Sequence, residues 1–202
     1  MVIEKLGVEL LMDEGDIQKI LNCIESLKRL VRSGWMMRGI PASIGESVAS
    51  HSFEASLLSL IITAHLKNKG ITVSPERAAV LALIHDVPEC MVGDIPLKTS
   101  ISIGGLKEEL ELRKAEEIFG DTWILQLYIE YLEQKTLESK IARLSEKLST
   151  VVESKRMISL GYVRVNEILE STRKEIENIM SGLDKDIRVH LEENVRRIID
   201  EE

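Results

Sequence analysis

The residues best placed to do chemistry are His51, the pair His85-Asp86, and the acids Glu89 and Asp94 that follow. The segment Ala78 to Ile84 is almost wholly apolar, so a helix built from it carries His85 and Asp86 into the protein. Polar groups delivered there need a partner. A divalent cation supplies one, because imidazole nitrogen and carboxylate oxygen suit first-row ions. Successive residues of a helix lie about 100° apart, so His85 and Asp86 reach one ion only at a bend or helix end. Pro88 supplies a reason for a bend. Glu89 follows His85 by one helical turn on the same face, and the Gly93 turn lets Asp94 fold back toward it. Each residue also has a plainer reading. His51, on a stripe with Ser47, Ala55 and Leu58, is a hydrogen-bonded core histidine; His85-Asp86 caps a helix; Glu89 and Asp94 form a solvated acidic turn. Two histidines and three acids together favour a metal-dependent hydrolytic site.

Helices must position these groups. Ile17, Ile20, Leu21, Ile24, Leu27, Leu30 and Val31 recur at helical spacing and predict a first helix ending near Ser33-Gly34. Trp35 to Gly45, with Gly39 and Pro41, reads as a loop. Ser47 caps a second helix that runs to Lys69, apolar all round in its middle and therefore expected to be buried. Ser74-Pro75-Glu76 starts a third, which carries Val80, Leu81, Leu83 and Ile84 before His85. Pro88 bends or restarts it, and Gly93 stops it. Further helices are expected from Gly105 to Phe119, from Thr122 to about Gln134 and from Thr136 to about Leu160. One or two more lie between Val165 and Asp200, divided near Gly182. The fold class is all-α, a bundle of seven or eight helices.

Composition narrows the possible partners. The 202 residues fit one domain with a full core. Thirty-four acidic against 26 basic residues give a net charge of −8. That balance argues against a nucleic-acid polymer as partner but permits a nucleotide in a local pocket. Leu57 to Ala64, the longest apolar stretch, is too short to span a bilayer, and Met1 to Lys5 does not open a signal peptide. Cys23 and Cys90 stand at no disulfide- or metal-type spacing. They are expected as reduced, half-buried thiols in a cytoplasmic protein. His65 and His190 lack ligand-spaced partners and read as surface or helix-end residues.

Three longer stretches carry a resemblance. Leu27 to Trp35 (Leu-Lys-Arg-Leu-Val-Arg-Ser-Gly-Trp), Glu46-Ser47-Val48-Ala49-Ser50-His51, and His85-Asp86-x-x-Glu89-x-x-x-Gly93-Asp94-Ile95-Pro96 resemble the HD-domain phosphohydrolases. The likeness is strongest to the small 5'-deoxynucleotidase group. It covers roughly residues 15 to 160, with C-terminal helices from about 165 to 202 completing a single HD domain. The resemblance implies four metal ligands: His51, His85, Asp86 and a later Asp in an Ala-Asp-Lys-Leu context. Here that context reads Ser145-Glu146-Lys147-Leu148, which puts Glu146 at the ligand position, one methylene longer than Asp. Ala142, Ser149 and Thr150 share its side of the helix and leave room beside it. The plainer reading of Glu146 is a solvated residue between Arg143 and Lys147.

The resemblance also gives Glu89 and Asp94 catalytic roles at the water and the leaving 5'-oxygen. It makes Trp35 a sugar contact, equally readable as a hinge-packing aromatic, and makes Arg32 or Arg38 a phosphate contact. The group's Arg directly precedes its Trp, where this chain has Gly34. Lys98 is a further phosphate candidate. The implied cofactor is one divalent ion, Mn2+ or Co2+ first, with Mg2+, Zn2+, Ni2+ or Fe2+ as alternatives. The implied substrate is a nucleoside 5'-monophosphate, and the implied assembly is a homodimer, with residues 106–118 and 165–200 as candidate surfaces. Two other readings stand beside this one. The first is an HD phosphohydrolase for a cyclic nucleotide, a pyrophosphate or an alarmone. The second is a non-catalytic nucleotide-binding module whose metal site has drifted.

Overall fold

A computed structural model describes residues 14–200 of the chain; the reading of Met1 to Lys5 lies outside them. Eight helices of ten residues or more form the frame: α1 (Glu14–Arg29), α3 (Val48–Asn68), α4 (Pro75–Ile84), α7 (Leu106–Phe119), α8 (Trp123–Glu133), α9 (Leu137–Ser159), α10 (Asn166–Ser181) and α11 (Lys185–Asp200). Three short ones lie between them: α2 (Ser33–Met36), α5 (Glu89–Val92) and α6 (Leu97–Ile103). The all-α expectation holds. The stretch expected to be a loop from Trp35 begins inside the turn α2, and α6 was not anticipated. Among the described residues there is no β-strand; Val31 and Ser47 meet in a single antiparallel bridge.

The helix starts follow local chemistry. The side-chain oxygens of Ser47, Ser74 and Thr136 each accept from the backbone N–H three residues on, satisfying a donor that the first turn leaves unpaired. Helix α9 runs through the centre. Its Ala142, Ser145, Ser149 and Ser154 are fully buried, and side chains this small let α3 and α4 approach closely. One apolar cluster joins Ile62 and Leu66 of α3 to Leu144 and Leu148 of α9, Ile176 of α10 and Leu191 of α11. A second joins Ala55, Leu81 and Ala82 to Ala115, Leu125, Tyr128 and Tyr131. Each large side chain buried this way stabilises the fold by roughly 1.5–3 kcal/mol.

Two expectations fail. Helix α3 is not buried all round: Phe53, Leu57 and Ile61 are 65%, 46% and 58% exposed, because among the described residues no element packs over that stripe. Cys23 and Cys90 are not free thiols but a disulfide, with Cα atoms 5.2 Å apart. Helix α1 packs on α3, α5 and α7 through Cys23 and Leu27, which brings two cysteines 67 residues apart into bonding range. Both His65 and His190 are partly buried in helices. No helix of the described residues is long and apolar enough to cross a membrane.

Candidate metal centre and active-site cavity

Three elements deliver the metal-donor groups to one point. His51 lies one turn into α3 and is 1% exposed; His85 ends α4 and is 6% exposed. The chain turns tightly through Asp86, Val87 and Pro88, then restarts as α5 at Glu89, the bend that Pro88 was expected to cause. His85 Nε2 lies 3.0 Å from Asp86 Oδ2, and His51 Nε2 lies 3.9 Å from the same oxygen. One donor atom from each of the three residues falls within 4.8 Å of the others. Glu146, from α9, places Oε2 at 3.8 Å from His85 Nε2. It is buried, not the solvated residue of its plainer reading.

The donor set fits a divalent ion in its proton chemistry. His85 Nδ1 lies 2.7 Å from the Ala82 carbonyl. A carbonyl only accepts, so Nδ1 carries a proton, and Nε2 is the nitrogen turned toward Asp86. Burial, then Arg32 and His85, hold His51 well below the usual imidazole range, so it is neutral, as a ligand must be. Burial alone acts on Asp86 to raise it, but His85, His51 and Arg32 outweigh that and hold it well below the usual carboxylate range. On His85, burial acts downward and is outweighed by Asp86 and Glu146, which raise it.

These groups line a cavity of about 360 Å³ together with Arg32, Trp35, Arg38, Glu89, Asp94, Lys98 and Lys107. Glu89 is 3% exposed, and its Oε2 has no hydrogen-bond partner. Burial, then Asp86 and Asp94, push it up to about 10 against the opposing pull of Lys107 and Arg32. Asp94 follows Gly93, whose φ of 79° is the left-handed conformation that favours glycine. The turn folds Asp94 back so that its Oδ2 accepts from the Ser33 amide and hydroxyl. Asp94 thereby pins the start of α2, the turn that carries Trp35.

Arg32 and Trp35 share one acceptor. Glu46 Oε2 receives Arg32 Nη1 at 3.2 Å and Trp35 Nε1 at 3.3 Å, and the guanidinium lies 5.7 Å from the centre of the indole ring. Trp35 is 2% exposed and packs with Ile40, Met157 and Val165. It is therefore a packed aromatic, and what it shows the cavity is bulk and not an open face. Arg38 and Lys98 stand at the mouth, where both pair with Glu167 of α10, at 3.0 and 2.6 Å.

Several participants escaped the sequence reading. The Tyr131 hydroxyl donates to Glu146 Oε2, and its ring centre lies 5.4 Å from that of His85. Lys147 Nζ holds Glu146 Oε1 at 2.7 Å and Glu175 of α10 at 2.9 Å. Lys107 of α7 pairs with Glu111 at 3.3 Å. Only Tyr131 left a trace in sequence: a tyrosine on a largely apolar helix usually finds a partner for its hydroxyl when buried.

The HD-domain profile matches residues 24–196 of the chain. This chain belongs to the HD-domain family. A 5'-deoxynucleotidase of Danio rerio is 30% identical over 145 residues, covering 67% of this chain and 66% of the relative, just under two thirds of its length. A 5'-deoxynucleotidase of Homo sapiens is 27% identical over 182 residues, covering 82% and 83%. Among solved structures, a Pyrococcus horikoshii protein superposes with a TM-score of 0.78 at 28% identity, covering 91% of this HD-domain chain and 98% of its own.

Proposed function

We propose that this HD-domain chain is a single-domain, divalent-metal-dependent 5'-nucleotidase that removes phosphate from deoxyribonucleoside 5'-monophosphates. The observation that carries the reading is the convergence of His51, His85, Asp86 and Glu146 on the wall of a cavity that also presents Arg32 and Glu89. Relatives named 5'-deoxynucleotidases support the substrate class. His51, His85, Asp86 and Glu146 hold the ion, Mn2+ or Co2+ by preference. When bound, a divalent ion makes its water more acidic and offsets the phosphate charge.

The chain's own residues do the rest. Arg32 binds the phosphate through its planar fork. Arg38 and Lys98 bind anionic substrate at the mouth in exchange for Glu167. Glu89, buried and unpartnered through Oε2, moves the proton between water and the leaving 5'-oxygen. Asp94 spends one oxygen on Ser33 and keeps the other to orient the water or the leaving oxygen. The buried indole of Trp35 narrows the sugar subsite against a 2'-hydroxyl. With this reading go a cytoplasmic location, where nucleotide pools reside, and a homodimer. The exposed stripe Phe53, Leu57 and Ile61 of α3, or Leu106 and Leu110 of α7, offers it a face, and analytical ultracentrifugation reads its mass.

The test is phosphate release from a panel of ribo- and deoxyribonucleoside 5'-monophosphates, by metal-stripped protein with single divalent ions restored. The expected result is metal-dependent release that favours the deoxy forms and is lost in Glu146→Gln together with Mn2+ binding. No release from any member with any ion overturns the reading.

A further inference from the structure

His51 and His85 both turn Nε2 toward Asp86, but they are fixed differently. The Nδ1 of His85 is satisfied by the carbonyl of Ala82, in its own helix. The Nδ1 of His51 points across the α3–α9 interface instead, to Ser149 Oγ at 3.1 Å. Ser149 Oγ in turn lies 2.8 Å from Glu54 Oε2. Glu54 sits three residues beyond His51 on α3. It opens on a separate, shallow cleft of about 640 Å³, away from the active-site cavity.

The direction of this chain follows from counting protons. A hydroxyl has one hydrogen, and a carboxylate has none to give. Ser149 therefore donates to Glu54 and is left with lone pairs for His51. His51 Nδ1 must then be the donor, and its Nε2 is the bare nitrogen. The point matters because Arg32 Nη1 also stands 3.1 Å from His51 Nδ1. An Arg N–H directed there would demand the opposite tautomer, with the proton on Nε2 and no lone pair for a metal. Arg32 has oxygens to take its protons instead, Glu46 Oε2 at 3.2 Å and Thr150 Oγ1 at 3.3 Å.

We propose that Glu54, acting through Ser149, is a positioning residue that holds His51 in the Nδ1–H tautomer and so makes its Nε2 a metal donor. The inference rests on the metal-centre reading above and adds a residue outside the cavity to it. Partners beyond the ligands set ring orientation and basicity in this way, and their loss weakens metal binding by about 10–100-fold. Without Glu54, the hydroxyl of Ser149 is free to turn its proton toward Nδ1, which favours the tautomer that cannot bind.

The experiment uses the full chain, metal-stripped, as wild type, Glu54→Ala, Glu54→Gln and Ser149→Ala/Glu54→Ala. Long-range 1H–15N NMR reads the His51 tautomer with no metal present, and calorimetric titration with Mn2+ reads affinity. The expected wild type shows Nδ1–H at His51. Glu54→Ala shifts it toward Nε2–H and weakens Mn2+ by about 10–100-fold. Glu54→Gln, whose amide oxygen still accepts from Ser149, keeps most of both. The double variant is little weaker than Glu54→Ala, since the two residues act as one chain. A wild type with Nε2–H, or a folded Glu54→Ala with unchanged tautomer and affinity, overturns the proposal. A wild type that shows Nδ1–H yet binds no divalent ion overturns the metal centre instead, and the NMR result tells the two failures apart.

Discussion

Glu46 sits at the junction of the two groups assigned to phosphate and sugar, and its ionisation has a measurable cost. Its side chain is 7% exposed. Burial raises its pKa from 4.5 to about 7; Arg32 pulls the other way, and Glu153 and Glu54 add to the rise. A carboxyl whose folded pKa is raised contributes stability that is fully present below the unfolded value. That stability is lost as pH climbs through the folded value. Each tenfold change in proton affinity corresponds to about 1.4 kcal/mol, so ionising Glu46 removes about 3 kcal/mol between pH 4 and pH 8. Glu46→Gln cannot ionise, yet it keeps an oxygen for Arg32 and Trp35. Urea unfolding of wild type and Glu46→Gln at a series of pH values isolates the term, because the other titrating groups are common to both. Relative to wild type, the variant should gain about 3 kcal/mol on going from pH 4 to pH 8. A difference that stays constant to within about 1 kcal/mol across that range would refute the reasoning.

Two further predictions test the site and the frame. Glu89→Gln should lower kcat on a deoxyribonucleoside monophosphate by about 10²–10⁴-fold, the range of a lost proton-transfer group, while calorimetric Mn2+ affinity stays at the wild-type value; wild-type turnover would remove Glu89 from the chemistry. Reducing the Cys23–Cys90 bond, which closes a separation of 67 residues, should cost about 4 kcal/mol in urea unfolding by the chain-entropy estimate, and a loss below about 1 kcal/mol would show that packing of α1 already confines that loop.

The long helices were legible because each carries its own signals. Ser47, Ser74 and Thr136 cap the starts, and Gly70, Gly120 and Gly161 adopt positive φ where helices stop. The short elements were not. Four residues cannot show a helical period, and α2 has no side-chain cap of its own; its first amide is held by Asp94, 61 residues away. The cysteine pairing was hidden for the same reason, since only the packing of α1 beside α5 brings the two sulfurs together. His85 and Asp86 stood out because polar residues at the end of an apolar run must be satisfied somewhere, whereas His51 and Glu89 drew their proposed roles from the combination and the family resemblance. The groups that hold His51 and Glu146 lie on α3, α8 and α9, Ser149 and Glu54 behind the one and Tyr131 and Lys147 on the other, and no local spacing connects them.

The same groups bear on whether Glu146 marks a drifted site or a working one. A glutamate reaches one methylene beyond an aspartate and has one more bond to rotate, so holding its carboxylate still costs more side-chain entropy. An unused glutamate on α9 would turn its charge to water. Here both oxygens are taken: Tyr131 donates to Oε2, and Lys147 holds Oε1 at 2.7 Å while tied to Glu175. With both partners in place, Oε2 lies 3.8 Å from His85 Nε2. Tyr131 also packs its ring against that of His85, so one residue fixes the spacing between the two groups. In the proposed metal centre these contacts hold a buried carboxylate beside His85, the place that a longer ligand would fill.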